Sequence, residues 1–272
     1  MNPYNVIADL EAALCEYTAA PHCVCVSSCT IALEMVCAWL RVGEVSIPRR
    51  TYVSVPQAIV KSGGTVIFDN RDWVGSYSLN PYPIRDSAPR FMRGMYAGGY
   101  ECLSFHRRKI LGHTEGGAIL CSNADTAREL RILRHDGREA GSPRAHTIGY
   151  HAVMSPGVAA ELLAKLPYVG DGWEMRFDED YPDLSYQDWN ALYASSRARL
   201  TSEASTETLE ALRQVRALRA NNNDNWMDLL EHVARSDPDY FRAWQKRTRN
   251  IDLLVSEQMR KTVECSERAA TP

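Results

Sequence analysis

The chain has no Cys-x-x-Cys pair, no apolar run long enough to cross a bilayer and almost no charge imbalance. The first absence removes the usual spacing of a zinc or dithiol site. The second removes an α-helical membrane span. The third, 31 Lys and Arg against 34 Asp and Glu for a formal net charge of −3, leaves no electrostatic case for a nucleic-acid partner. A leader peptide is not expected either. Asp9 and Glu11 sit among spaced apolar residues, the pattern of an amphipathic helix rather than a signal sequence. The eight cysteines, at positions 15, 23, 25, 29, 37, 102, 121 and 265, then read as reduced thiols of a cytoplasmic protein, with Cys23 and Cys25 in a buried strand. What remains is ordinary globular material, 45% hydrophobic and 24% charged over 272 residues. That length suits one large domain, or a medium domain with an appendage.

Apolar spacing predicts a first helix over residues 6–17, stopped before Pro21, and a strand over 22–26. Ser27-Ser28-Cys29-Thr30 then opens a helix over 31–40. A strand that turns through small hydroxyl residues into a helix N-terminus presents free backbone N–H groups and a positive dipole end, which is an anion site. It is equally an ordinary N-cap, for which Ser and Thr are favoured. Further strands are expected over 44–48 and 65–69, with a short helix over 57–61 between them.

The most informative stretch is Cys102-Leu103-Ser104-Phe105-His106-Arg107-Arg108-Lys109, followed by Glu115-Gly116-Gly117 and a second apolar run to Cys121. A lysine at the end of a buried strand is poorly solvated, which favours the neutral amine and suits Schiff-base chemistry. A strand, a basic surface loop and a second strand is the plainer reading.

Ser-Phe-His-x-x-Lys followed by Glu-Gly-Gly resembles the cofactor-lysine segment of the DegT/DnrJ/EryC1/StrS family. These are sugar aminotransferases of the aspartate-aminotransferase fold that use pyridoxal 5'-phosphate (PLP). Other segments resemble the family in the same order. Ser28-Cys29-Thr30 stands where the family reads Ser-Gly-Thr and binds the cofactor phosphate. Thr51-Tyr52-Val53-Ser54 matches a Thr-aromatic segment whose ring stacks on the pyridine. Asp86-Ser87-Ala88 matches Asp-x-Ala, whose carboxylate pairs with the ring nitrogen. Ile148-Gly149-Tyr150-His151 matches Leu-Gly-Tyr-Asn, whose Asn reaches the phosphate across a dimer interface. The resemblance implies Lys109 as the catalytic residue, holding the cofactor as an internal aldimine. It implies Cys29, Thr30, Tyr52, Asp86, Ser104 and His151 as cofactor-binding residues. There are departures: Cys29 replaces glycine, His151 replaces asparagine, Val153 replaces arginine, and Pro89 follows the Asp-x-Ala motif where the family has Gln or His.

The resemblance covers about the first three-fifths of the chain, and one or two βα units between Asp69 and Ile84 are missing. The expected fold is α/β: a truncated PLP-transferase large domain with a mainly parallel sheet flanked by helices, followed by a C-terminal α-helical hairpin. The expected organisation is a PLP-binding domain over 1–168, a linker over 169–203 and a helical appendage over 204–272. In the appendage, Leu209, Leu212, Val215 and Leu218 keep helical spacing, and Asp237-Pro238-Asp239 opens a last helix. Asn221 to Asn225 is either a polar recognition patch or a helix bend.

The function implied is transfer of an amino group from an amino-acid donor to a nucleotide-linked keto sugar, by a cytoplasmic homodimer without metal. Two alternatives stay open: another PLP reaction such as a lyase or decarboxylase, and a non-catalytic relative that acts as a scaffold.

Overall fold

The computed structural model describes residues 4–174, 181–202 and 234–235. In chain order the helices are α1 (Asn5–Thr18), α2 (Cys29–Leu40), α3 (Ser54–Lys61), α4 (Ala124–Arg134), α5 (Pro156–Lys165) and α6 (Trp189–Ser202). The strands are β1 (His22–Val26), β2 (Glu44–Pro48), β3 (Thr65–Asp69), β4 (Tyr77–Ser78), β5 (Ile84–Asp86), β6 (Arg90–Met92), β7 (Tyr100–Ser104), β8 (Gly117–Cys121) and β9 (Gly172–Glu174). The expected helical hairpin region, 204–272, lies outside the described residues apart from 234–235.

Five strands form one sheet in the order β1-β8-β7-β5-β4. It is mixed, whereas the sequence pattern predicts a mainly parallel sheet. Only β5 and β7 run parallel within it; β1 with β8, β7 with β8 and β4 with β5 are antiparallel. The reason is in the connection. Residues 105–116 bring the chain back beside β7 without a helical crossover, and a return of that kind forces antiparallel pairing. A separate parallel ribbon, β2 with β3, joins the sheet through reciprocal backbone bonds between Ser46 and Asn80. No helix stands between β3 and α4, which is where the expected βα units are absent.

Side chains alternate across a strand, and here both faces are buried. Cys23 and Cys25 of β1, Leu103 of β7, and Ala118 and Leu120 of β8 meet α1 and α5 in one core. Val24 and Val26, Cys102, and Ile119 and Cys121 point the other way, to a core with α2 and α3. Helix α1 contributes Ile7, Leu10, Leu14 and Tyr17, spaced three and four apart so that one stripe faces inward. It ends at Ala19, whose φ of 59° is the left-handed stop of a helix. Cys15, Cys23, Cys25, Cys29, Cys37, Cys102 and Cys121 are free thiols.

The stretch expected as linker is more ordered than its composition implies. Gly172–Glu174 pairs antiparallel with β6. Leu184 and Trp189 are 1% and 5% exposed and belong to the α2 core. The Leu184 N–H donates to the Arg49 carbonyl at 2.8 Å, and Val66 N–H donates to the Asn190 side chain at 3.3 Å. Residues 181–190 thus lie along the ribbon. The sequence carries no period there because the segment is held by a few large side chains and backbone bonds, not by a repeating face. The chain divides into two units, Met1–Tyr193 and Ala194–Pro272. The first holds the strands and helices α1 to α5. The described part of the second is the end of α6 and residues 234–235.

Glu11 ties three elements of the first unit together. Its carboxylate is 5% exposed and accepts from Cys25 N–H at 2.9 Å, from Arg131 at 2.8 Å and from Arg134 at 2.5 Å. The same two guanidinium groups donate to the carbonyls of Cys23 and Cys25. Removing one member of such a buried set leaves the others without a counter-charge. Glu11→Ala is expected to cost about 3 kcal/mol, read as a lower urea midpoint, with Glu11→Gln less severe. A second strain point is Gly117, where a Cβ would sit 2.5 Å from the backbone of Ser28 and Cys29. Gly117→Ala is expected to lose about 1–3 kcal/mol by overpacking, measured in the same titration.

Candidate active site

Three turns converge at one end of the five-stranded sheet. The first follows β1. Ser28 is the N-cap of α2 and its hydroxyl accepts from Ile31 N–H at 3.2 Å, leaving the opening amides of the helix facing outward. The second follows β7, where Phe105 is fully buried and anchors the loop that carries Lys109. The Lys109 N–H donates to the His106 carbonyl at 2.7 Å and His113 N–H to the Phe105 carbonyl at 2.6 Å, which closes the loop on itself. The two turns are stitched through Gly116: its N–H donates to Ser27 O and its carbonyl accepts from Phe105 N–H, both at 2.9 Å. Gly116 has a φ of +115°, a conformation that favours glycine.

The third turn follows β5. Asp86 closes that strand, opposite Cys102 of β7, and is 4% exposed. Its carboxylate accepts from the Tyr77 phenol at 2.8 Å and from Ala88 N–H at 3.0 Å, and the Cys29 thiol lies 4.0 Å away. The Tyr77 oxygen is itself bonded to the Thr51 hydroxyl. Burial pushes the Asp86 carboxyl above its ordinary value, and the bonds from Ala88 and Tyr77 and the nearby Lys109 pull against that. Lys109 is shifted the other way. Burial lowers its amine, with Asp86 opposing. For both groups loss of water outweighs the attraction between them.

Between the turns lies a cavity of about 370 Å³, within the range of small-molecule sites. Its lining includes Cys29, Thr30, Tyr52, Asp86, Ser104 and Lys109, six of the seven residues singled out from the sequence. His151 is not brought there. It is on an exposed segment, 89% exposed at its side chain, with Nδ1 3.2 Å from Asp136. The Cys29 thiol, where a glycine is the pattern, points at Asp86 and so does not fill the mouth of the turn. The Thr30 and Ser54 hydroxyls are bonded at 2.7 Å.

Several lining or supporting residues carried no usable signal. Tyr77 and Trp73 sit in a proline-containing loop with no period, yet both are buried and their rings are 4.8 Å apart. Arg108 was legible only as part of a basic turn. Tyr181 comes from the segment read as linker, so nothing in its neighbourhood marked it. Ser54 was in view within the Thr51–Ser54 motif, and its place at the start of α3 was what the pattern missed.

The comparisons with known proteins bear on the family and the fold. The family model for the DegT/DnrJ/EryC1/StrS aminotransferase family matches residues 1–84 and 92–178, more than half of the chain. Among solved structures, DesV of S. venezuelae in complex with a ketimine intermediate superposes with a TM-score of 0.52 at 20% identity, over 60% of this chain and 57% of that one. A DegT/DnrJ/EryC1/StrS aminotransferase from Brucella abortus gives 0.53 at 20% identity, over 60% and 58%. DesI in the presence of its TDP-sugar product gives 0.51 at 20% identity, over 60% and 54%. The chain therefore spans little more than half the length of these structures, and at such identities they speak for the fold. The fold is that of the PLP transferases. The match covers well over half of the chain and takes in the lysine turn, though not residues 85–91 that carry Asp86, and the chain belongs to the DegT/DnrJ/EryC1/StrS aminotransferase family.

Proposed function

We propose that the chain is a PLP-dependent aminotransferase that moves an amino group from an amino-acid donor to a nucleotide-linked keto sugar. The observation that carries this reading is the pairing, in one cavity, of a half-buried lysine with a fully buried aspartate beside a hydroxyl-lined helix N-terminus. The family match supports the amino-transfer class, and DesI, solved in the presence of its TDP-sugar product, supports the substrate class.

The residues fit the cofactor. Pyridoxal phosphate, when bound, supplies an electron-withdrawing ring and a carbonyl that condenses with amines. Asp86 is suited to the ring nitrogen. An aspartate already held out of water, with a thiol, a phenol and one amide as its neighbours, gains most from an adjacent cation. The opening amides of α2 at Cys29 and Thr30, with the hydroxyls of Thr30 and Ser104, suit a phosphate. Tyr52, 56% exposed at the cavity edge, offers a flat ring for stacking. Lys109 would be the amine that holds the cofactor at its carbonyl, its Nζ placed to take and return a proton; burial lowers its pKa, so more of it is neutral near physiological pH than an exposed lysine would be.

His151 enters this reading through a second copy. An exposed imidazole on a segment outside its own cavity is suited to reach the phosphate of a partner's site in a homodimer. No helix among the described residues is long and apolar enough to cross a membrane, and the free thiols favour a cytoplasmic setting.

Added PLP should give the purified chain a visible absorption band, and borohydride should then fix the cofactor to Lys109 in a peptide map. Lys109→Ala should give neither, and no band with the wild-type chain would overturn the reading. Uptake should speed up with rising pH, with a midpoint below that of an ordinary lysine because the Lys109 pKa is lowered. Glutamate should discharge the band; one that forms and ignores every amino-acid donor would replace the transferase with another PLP reaction. Asp86→Asn is expected to act in two directions. The folded-state pKa of Asp86 is raised, so its ionisation costs stability as pH climbs above the ordinary carboxylate range. The empty Asn variant should therefore melt higher than wild type at pH 7, with a smaller difference at pH 4, while binding PLP more weakly.

A further inference from the structure

Strand β4 is two residues long and comes from the segment between β3 and β5, where the expected βα units are absent. Its antiparallel register on β5 sets Tyr77 opposite Asp86, and cross-strand partners share a face of the sheet. Beside the pair, Leu79 N–H donates to the Ile84 carbonyl at 2.9 Å and holds that register. The outcome is a row of three polar side chains, Thr51, Tyr77 and Asp86, each 4% exposed or less. The Tyr77 phenol donates to Asp86 Oδ2 at 2.8 Å. A phenol has one proton to give, so the close contact between Tyr77 and Thr51 is the Thr51 hydroxyl donating to the phenol oxygen. Trp73 packs on the Tyr77 ring at 4.8 Å and is itself fastened by Nε1–H to the Arg50 carbonyl at 2.8 Å. A tyrosine that only filled this core would need no hydroxyl. This one ends on a carboxylate.

The phenol keeps its proton, because burial, with the Asp86 charge added, raises it well above its ordinary value. The other titratable groups around Asp86 are the Cys29 and Cys102 thiols, Lys109 and Tyr181. Burial holds both thiols well above their ordinary values and Tyr181 up to about 12, so all three stay uncharged near neutrality. Lys109 is the basic group among them. Burial pushes Asp86 toward its neutral form, and Ala88 N–H on Oδ1, Tyr77 on Oδ2 and the Lys109 charge oppose it. A hydrogen bond donated to a carboxylate stabilises the anion and makes it a weaker base. That decides where a proton shared with a ring nitrogen sits. The weaker the carboxylate as a base, the more the proton stays on the nitrogen, and a protonated ring is the better electron sink.

We infer that Tyr77 is a positioning residue of this site: backed by Thr51, its phenol holds the Asp86 carboxylate so that the proton shared with the cofactor's pyridine nitrogen stays on the nitrogen. The inference rests on the cofactor reading above. It gives the shortened segment between β3 and β5 a part in the chemistry, exerted through Asp86.

The test uses the full chain as wild type, Tyr77→Phe and Thr51→Val, with Asp86→Asn to assign the Asp86 signal. In the empty proteins, made with isotope-labelled aspartate, the Asp86 carboxyl is titrated by NMR. Its midpoint should lie at higher pH in Tyr77→Phe than in wild type, because the anion has lost a donor. Thr51→Val should move it the same way by less. The proteins are then loaded with PLP labelled at the ring nitrogen. The nitrogen resonance should shift from the protonated toward the neutral position in Tyr77→Phe, and by less in Thr51→Val. A Tyr77 that only fills the core would lower the melting temperature and leave both signals where they are. Either signal unmoved in a folded Tyr77→Phe overturns the inference, and if that variant does not fold, Thr51→Val decides by the same criterion. A wild-type chain that takes up no PLP overturns the cofactor reading and this inference with it. A carboxyl midpoint that still moves then tells that failure apart from failure of the Tyr77 contact.

Discussion

A carboxylate sealed from water is the condition around which the rest of this molecule is arranged. Asp86 has one phenol, one backbone amide and a thiol for company, which is less than a buried charge needs for full compensation. The fold sustains it by surrounding it with well-packed material. The parallel register of β5 on β7 sets it beside Cys102. β4 delivers Tyr77, and the turn after β2 delivers Thr51 to hold that phenol in place. Lys109 approaches from the loop after β7, and the burial that raises the Asp86 carboxyl lowers the lysine amine. Each of the two groups is displaced toward its neutral form, because burial outweighs the attraction between them.

The lysine turn and the helix-opening turn behave as one piece. Gly116 is bonded to both, and Gly117 has no room for a side chain against the Ser28–Cys29 backbone. This explains how a cysteine can occupy a position where glycine is the pattern. Close approach is secured from the Gly117 side, and the Cys29 sulfur turns toward Asp86. The backbone amides at the start of α2 keep their outward aspect.

Much of this was legible in the chain itself. The run from Ser104 to Lys109 stood out as the end of an apolar strand beside a basic turn, while Cys29, Thr30, Tyr52 and Asp86 were legible as cofactor positions through their resemblance to the family's motifs. Those six lining positions meet in one cavity. What stayed hidden depends on long-range pairing. The antiparallel return of β8 is fixed by how the loop 105–116 folds, which local pattern does not carry. Trp73, Tyr77 and Tyr181 lie in segments without a period, and their burial comes from contacts with distant residues. His151 was legible as a motif but not as a position, since its neighbours in this chain are Asp136 and solvent.

The cavity is also a joint. Its walls come from the five-stranded sheet through Asp86 and Ser104, from the β2–β3 ribbon through Tyr52, and from the segment beyond residue 180 through Tyr181. Sheet and ribbon share few backbone bonds, chiefly the reciprocal pair between Ser46 and Asn80. Packing supplies the rest: Val45 and Ile47 of β2 and Val66 of β3 are buried in one core with Val24, Ile84 and Ile119 of the sheet. A molecule seated in the cavity would touch sheet, ribbon and the segment beyond residue 180 at once, so its binding free energy would add to the cohesion that this shared core already provides.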